Sequence, residues 1–125
     1  MKTVILVFLG GGLGSVLRYS IGKWIGTLHT HYFPFGTLVA NILACFALGI
    51  ILGITDARQL MSPSAKIFWA VGFCGGFSTF STFSGETLSL IQSGFTGSSL
   101  LYIGLSLTLC IGATLAGLYL GQGTY

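Results

Sequence analysis

The sequence predicts an all-α integral membrane protein with four transmembrane helices. Charged residues make up 6% of its 125 residues, and its mean hydropathy is +0.92. A chain with so few polar side chains cannot cover the surface of a water-soluble globule. Its apolar residues fall into four stretches, and each is long enough as a helix to cross about 30 Å of hydrocarbon. We therefore interpret residues 1–125 as a single transmembrane domain.

The four apolar stretches define the predicted helices, at about residues 4–25, 33–54, 65–91 and 100–120. The first is longer than the apolar region of a secretory signal, and no cleavage site follows it, so we expect it to be retained. Pro34 suits the first turn of the second helix, while Ser62 and Pro63 suit the N-cap and first position of the third. Because the connections are short, neighbouring helices should run antiparallel.

Glycines four residues apart predict where helices pack closely, because small residues at this spacing let two backbones approach each other in lipid. The pairs are Gly10 with Gly14, Gly22 with Gly26, Gly49 with Gly53, Gly72 with Gly76, and Gly117 with Gly121. Three cysteines, Cys45, Cys74 and Cys110, lack the spacing of a metal site and are interpreted as small packing residues. The sequence carries no nucleotide-binding pattern, and the chain is not expected to be an enzyme.

The third stretch has an unusual composition for a simple lipid anchor. Residues 75–84 read Gly-Gly-Phe-Ser-Thr-Phe-Ser-Thr-Phe-Ser. Glycine and hydroxyl residues weaken a helix, and irregular backbone persists at membrane depth only where it is buried in protein or lines a watery path. We therefore predict that the third helix is broken near the membrane midplane, where the broken helices of transporters bind ions.

Positive charges give little preference for one orientation in the membrane. One side of the bilayer would hold Lys2, Arg58 and Lys66, and the other Lys23 and, a turn inside the membrane, Arg18. Since the Lys and Arg balance of short loops sets topology, the chain is expected to insert both ways. Two copies would then form an antiparallel, dual-topology homodimer with its axis in the membrane plane. A single orientation, fixed by folding or by Lys2 and Lys66, remains the alternative.

Two of the predicted helices carry small or polar residues at every fourth position. These are Thr37, Asn41, Cys45, Gly49 and Gly53 in the second, and Tyr102, Ser106, Cys110 and Thr114 in the fourth. Residues at this spacing share one helix face. Burying an unpaired side-chain amide costs about 2–7 kcal/mol, so Asn41 either bonds a neighbouring helix as structural glue or lines a path. The pairing of two such rows favours a path between the helices.

The side chains within the helices favour an anion over a cation as the moving ion. The carboxylates, Asp56 and Glu86, lie in a loop and near the end of the third stretch. Hydroxyls, an amide and the guanidinium of Arg18 are hydrogen-bond donors, which suit an anion. Phe80 and Phe83 would share a helix face, and the positive edges of their rings would stabilise a partly dehydrated anion. Packing is the alternative explanation of an aromatic row.

A broken third helix would also free backbone carbonyls for a bound cation. If the helix opens between Gly75 and Ser78, carbonyl oxygens from two copies would meet near a two-fold axis. Such oxygens would hold a monovalent cation such as Na+, which would pin the break rather than be transported.

Three ordered motifs resemble the Fluc family of bacterial fluoride channels, also called CrcB proteins. They are Gly-Ser-Val-Leu-Arg-Tyr at residues 14–19, Phe-Gly-Thr-Leu-Val-Ala-Asn at 35–41, and Gly-Gly-Phe-Ser-Thr-Phe-Ser-Thr-Phe at 75–83. The resemblance extends over the whole chain in length, span count and motif order. It implies a dual-topology homodimer in the bacterial cytoplasmic (inner) membrane, with two antiparallel fluoride pores and a structural Na+ at the dimer interface.

The resemblance also implies roles for individual residues. The implied fluoride pathway consists of Phe80 and Phe83 as ring-edge ligands, Asn41, Thr37 and Ser81 as donors, Tyr102, Ser106 and Thr114 as a polar track, Glu86 at the pore end and Arg18 near a vestibule. The implied Na+ ligands are the carbonyl oxygens of Gly75 and Ser78. Cys110 stands in the polar track where a hydroxyl would be expected, and a thiol is a weaker donor.

The predicted function is passive, selective export of fluoride from the cytoplasm, which reduces fluoride toxicity. The expected partners are fluoride, a second copy of the chain and the lipid bilayer, with no nucleic acid. A small dual-topology, proton-coupled multidrug exporter is the alternative, but it needs a carboxylate in its first helix, where this chain has Arg18. A non-transporting membrane assembly factor would explain the glycine pairs but not the polar rows.

Overall fold

The regular structure of the chain is entirely helical over the residues described here. The computed structural model describes residues 1–30 and 32–123. Its helices are α1 (Lys2–Leu28), α2 (Phe35–Leu52, continued by the wider π-helical turn Gly53–Ala57), α3 (Pro63–Lys66, Ile67–Cys74 and Gly75–Phe77 in succession, the middle part π-helical), α4 (Phe80–Gln92) and α5 (Thr96–Gln122). Lys2–Leu28, Phe35–Asp56 and Thr96–Gln122 are long and apolar enough to cross a membrane. The fold is therefore that of an all-helical, multi-pass membrane protein, as predicted.

Residues 65–91, predicted as one span, are divided between α3 and α4. α3 ends at Phe77, and Ser78 and Thr79 follow with extended backbone, Ser78 at ψ 158° and Thr79 at φ −150°. The hydroxyl of Thr79 then accepts a hydrogen bond from the N–H of Thr82 at 3.1 Å and caps α4. A threonine at this position satisfies a helix donor that has no backbone partner.

The predicted helix starts are close to the observed ones. Ser62 accepts a hydrogen bond from the N–H of Ala65 at 3.2 Å, and Pro63 is the first residue of α3, which confirms the predicted cap. Pro34 is the residue before α2 rather than a member of its first turn. Its carbonyl accepts from the N–H of Leu38 at 3.2 Å, so the difference from the prediction is one position at a helix end.

Glycines allow two pairs of parallel helices to touch through their backbones. A Cβ added at Gly10 or Gly14 of α1 would collide with the backbone of α3 around Gly72 and Phe73. The same is true of α2 and α5 at the positions Gly49, Gly53, Gly117 and Gly121. Close packing is thereby confirmed for these glycines, whereas Gly26 faces open space and the prediction is wrong there. The two glycine contacts fix α1 against α3 and α2 against α5.

Candidate ion pathway

The two predicted rows of polar residues face each other across the interface of α2 and α5. Gly49 lies against the carbonyl of Thr114, and one turn later Gly53 lies against that of Leu118. The helices therefore run parallel and in step. Continuing this register toward their N-termini pairs the remaining members of the rows, Cys45 with Cys110, Asn41 with Ser106 and Thr37 with Tyr102. We call these three pairs the polar ladder, and we call Gly49, Gly53, Gly117 and Gly121 the glycine seam.

A cavity of about 240 Å³ opens beside the polar ladder. Its lining includes Asn41, Cys45, Ser106 and Cys110 from the ladder, together with Phe80 and Phe83. The hydroxyl of Ser106 is buried and makes no hydrogen bond within the described part of the chain. Because an unpaired buried hydroxyl is costly, this group marks a position where a ligand would be stabilised.

The two candidate phenylalanines lie together but differ in burial. Their ring centroids are 5.5 Å apart, and the rings are tilted by 45°. Phe83 is buried against Tyr102, with centroids 5.1 Å apart, whereas the side chain of Phe80 is 76% exposed. The single chain therefore covers one ring and leaves the other uncovered beside the cavity.

Asn41 holds the junction between α3 and α4. Its side-chain Oδ1 accepts from the N–H of Thr79 at 2.8 Å, and its Nδ2 donates to the carbonyl of Thr79 at 3.2 Å. Both backbone groups of an extended residue are thus satisfied by one buried amide. Nδ2 carries a second hydrogen, and Asn41 is among the residues that line the cavity of about 240 Å³. Asn41 consequently joins α2 to the junction, the structural role that the sequence left open for it.

Arg18 forms a hydrogen bond on the α3 side of this junction. Its Nε donates to the carbonyl of Gly76 at 3.1 Å, and the hydroxyl of Ser15 lies 3.5 Å from the same oxygen. This carbonyl is in the last turn of α3, where helical donors run out. Arg18 also lines a cavity of about 400 Å³ together with Lys23 and Thr37, and two cations there would raise the local concentration of anions.

Glu86 lies at the end of the polar ladder that Thr37 and Tyr102 form. The hydroxyl of Thr37 donates to its Oε1 at 2.5 Å, so the Thr37 proton is committed to the carboxylate. Tyr102 is completely buried, and its hydroxyl has no hydrogen-bond partner among the described residues. Thr37 and Glu86 also line a cavity of about 310 Å³ that His29 borders.

The remaining predicted residues lie around the α3–α4 junction and the seam. Ser81 is exposed, with its hydroxyl 3.4 Å from that of Thr79. Thr114 donates back to the carbonyl of Cys110 at 3.0 Å, at the edge of the glycine seam. Near Gly75 and Ser78, the N–H of Thr79 donates to Asn41, and that of Thr82 donates to the Thr79 hydroxyl. These two N–H groups therefore do not bond the carbonyls of Gly75 and Ser78, which lie four residues before them.

Sequence reasoning missed Thr79, which joins these elements. It caps α4, receives both bonds of Asn41 and lines two cavities. Threonine is a favoured N-cap, so its position before the Phe80–Gln92 helix was a usable signal. The hydrogen bonds between Thr79 and Asn41 join distant parts of the chain, so the spacing of residues along one helix does not predict them.

Together, these features define a multi-pass helical membrane protein with a donor-lined cavity between two parallel helices. Comparison with known proteins identifies its family. Residues 5–118 match the family described as CrcB-like protein, Camphor Resistance (CrcB). The chain therefore belongs to the CrcB-like family.

Several named relatives are similar over nearly their entire length. The chain is 42% identical to a protein of Leptospira interrogans, over 95% of this chain and 94% of the relative. It is 42% identical to one of Flavobacterium psychrophilum, over 98% of each chain, and 40% identical to one of Agrobacterium fabrum, over 100% of each. Each of these relatives is named Fluoride-specific ion channel FluC.

Proposed function

We propose that this protein is a fluoride-selective channel that passively exports F− from the cytoplasm across the bacterial inner membrane. The observation that supports this most strongly is the cavity beside the polar ladder, where buried donors meet two phenylalanine rings. The similarity to relatives named fluoride-specific channels supports the identity of the ion. Passive flow requires no nucleotide, and the driving force is the electrochemical gradient of fluoride.

The lining of the cavity accounts for a preference for anions. Among the described residues that line it, the polar side chains are hydroxyls, thiols and one amide, and none is a carboxylate. Each can donate a hydrogen bond, and the edges of Phe80 and Phe83 add positive potential. A small anion that loses its water would regain interactions from these groups.

Selectivity over chloride follows from the close spacing of those groups. A filter distinguishes ions by how well its ligands replace the hydration shell. The buried hydroxyl of Ser106 and the amide of Asn41 lie on two helices that the glycine seam holds together. Such a rigid pair of donors suits a small, strongly hydrated ion better than a larger one.

An antiparallel homodimer would complete the pathway. A 76% exposed phenylalanine next to the cavity is incompletely enclosed by its own chain, and large exposed apolar surface is typical of an interface. With positive charges nearly balanced between the two sides, two copies in opposite orientation would each contribute Phe80 and form two antiparallel pores. In such a dimer, the interrupted α3–α4 segment would lie near the midplane.

The same dimer would place a structural Na+ at the α3–α4 junction. The carbonyls of Gly75 and Ser78 are candidates because the N–H groups of Thr79 and Thr82 are engaged elsewhere. Carbonyl oxygens of unwound helices coordinate Na+ in transporters. The ion would supply positive charge that holds the two junctions together. Accordingly, exchanging Na+ for the bulky N-methylglucamine cation should lower the thermal midpoint of the purified dimer, and an unchanged midpoint would contradict this role.

Fluoride and chloride efflux from proteoliposomes tests the proposed function. Vesicles that contain the protein should release fluoride rapidly and retain chloride, whereas equal release of both ions would contradict the proposal. Phe80→Ile removes the ring edge while keeping a bulky apolar side chain, so fluoride efflux should fall by about tenfold or more. Phe8→Ile is the matched control, because Phe8 is equally exposed, at 77%, but lies on α1.

Dual orientation has a separate test. A tag at the C-terminus should be accessible from both faces of the membrane in intact cells and inverted vesicles. Accessibility from a single face would exclude the antiparallel dimer without excluding fluoride transport.

A further inference from the structure

Two cysteines face each other in the polar ladder, between the pair Asn41–Ser106 and the glycine seam. Cys45 of α2 and Cys110 of α5 both line the cavity of about 240 Å³. Both are free thiols, and the helix register set by Gly49 and Thr114 places them opposite each other. Cys110 stands where the resemblance to the Fluc family implies a hydroxyl.

The helix packing suits a bond between these two sulfurs. A disulfide requires Cα atoms about 4.4–6.8 Å apart. One turn beyond Cys45, Gly49 touches the backbone of α5 at Thr114, one turn beyond Cys110. Because the helices run in step and their backbones are in contact at the seam, the two cysteine positions are held close by the fold itself.

We propose that Cys45 and Cys110 form a reversible disulfide that closes the pathway beside the polar ladder, so that peroxide oxidation switches this protein off. The chemical step concerns the thiols alone, while its effect on conduction rests on the proposed function. Oxidation joins α2 to α5 at the level of the cavity. Reduction restores the two thiols and reopens the path.

The oxidant is a hydroperoxide such as hydrogen peroxide, which is small enough to enter a cavity of this size. One cysteine sulfur attacks a peroxide oxygen, the O–O bond breaks, and the products are a sulfenic acid and one water. The second thiol attacks the sulfenic sulfur, forms the S–S bond and releases a second water. Two electrons pass from the two sulfurs to the peroxide, and the thiol protons end in water.

The disulfide would close the path because it removes two hydrogen-bond donors from the cavity. The separate thiols offer two weak S–H donors to the cavity. In the disulfide both donors are lost, and the sulfurs are joined at about 2.05 Å across the ladder. An anion would then meet a bridge without donors immediately beyond Asn41 and Ser106.

Cys74 is the natural internal control. It is buried, and it borders a different cavity, of about 130 Å³, that Cys45 also reaches. A bond between Cys45 and Cys74 is therefore the competing product. The open, shared cavity of Cys45 and Cys110 favours their bond because the oxidant can reach both sulfurs there.

The experiment treats the full chain in proteoliposomes with hydrogen peroxide, stops the reaction with catalase, and measures intact mass, disulfide-linked peptides and fluoride efflux. The wild type and Cys74→Ser should become lighter by two hydrogens, yield a Cys45–Cys110 peptide and lose about tenfold or more of their efflux. Dithiothreitol should restore both mass and efflux. Cys45→Ser and Cys110→Ser should keep whatever efflux each has before treatment.

Three results would overturn the proposal. They are an absent Cys45–Cys110 peptide, a Cys45–Cys74 peptide in its place, and unchanged efflux in wild-type protein whose disulfide has formed. Methionine oxidation is distinguishable because it adds oxygen instead of removing hydrogen. If the untreated protein conducts no fluoride, the proposed function fails, while the peptide and mass measurements still decide whether the disulfide forms.

Discussion

The polar ladder and the glycine seam occupy the same helix faces but serve opposite purposes. Along α2 and α5 the residues recur at the same spacing, yet the backbones touch at Gly49 and Gly117, whereas Asn41 and Ser106 line a cavity. Where the seam gives way to the ladder, a cavity of about 240 Å³ opens. A single helix pair thus provides both the clamp and the candidate pathway.

This comparison shows how a small helical membrane protein can hold donors in place without a large core. In lipid, helix association depends on close packing because burial of apolar side chains provides little drive. The seam supplies that packing at one end. The donors at the other end then lie on two helices whose relative position the seam holds.

The largest effect is expected from filling the seam. A Cβ added at Gly117 would collide with the carbonyl of Phe46, so Gly117→Val should destabilise the fold by about 3 kcal/mol or more. Gly112→Val on the same helix is the control, since a Cβ at Gly112 meets nothing within 4 Å. Thermal unfolding in detergent measures both variants. Equal midpoints for the two would mean that the seam does not clamp the helices.

A smaller effect is expected from releasing the α3–α4 junction. Asn41→Ala leaves the N–H and carbonyl of Thr79 without their side-chain partner, at a cost of about 2 kcal/mol or more. Thr108→Ala, at an exposed position of α5, should leave the unfolding midpoint near that of the wild type. If the Asn41 variant unfolds at the wild-type midpoint, the amide is dispensable for holding the junction.

A third change lies outside both regions and should affect stability alone. Ser62→Ala removes the cap of α3, which is worth about 1 kcal/mol. Fluoride efflux should stay at the wild-type level, because Ser62 is exposed and lines neither the ladder nor the seam. A loss of efflux would show that the start of α3 is coupled to the pathway.

Much of the fold follows from the sequence, but the site follows only in part. Apolar length predicts the helices, and glycine spacing predicts the seam, because both are local patterns. The rows of Asn41 and Ser106 indicate two polar faces, yet their register depends on how α2 meets α5. The bonds from Asn41 to Thr79 and from Arg18 to Gly76 join distant segments. Spacing along one helix carries no information about such partners.

The most direct test of the pathway is fluoride efflux through Ser106→Ala. The Ser106 hydroxyl is buried and without a hydrogen-bond partner in the described residues, so its removal should leave the unfolding midpoint unchanged or slightly higher. Fluoride efflux should nevertheless fall by about tenfold, because a donor of the cavity is lost, while Thr108→Ala conducts like the wild type. Wild-type efflux through a folded Ser106→Ala protein would contradict a fluoride path along the polar ladder.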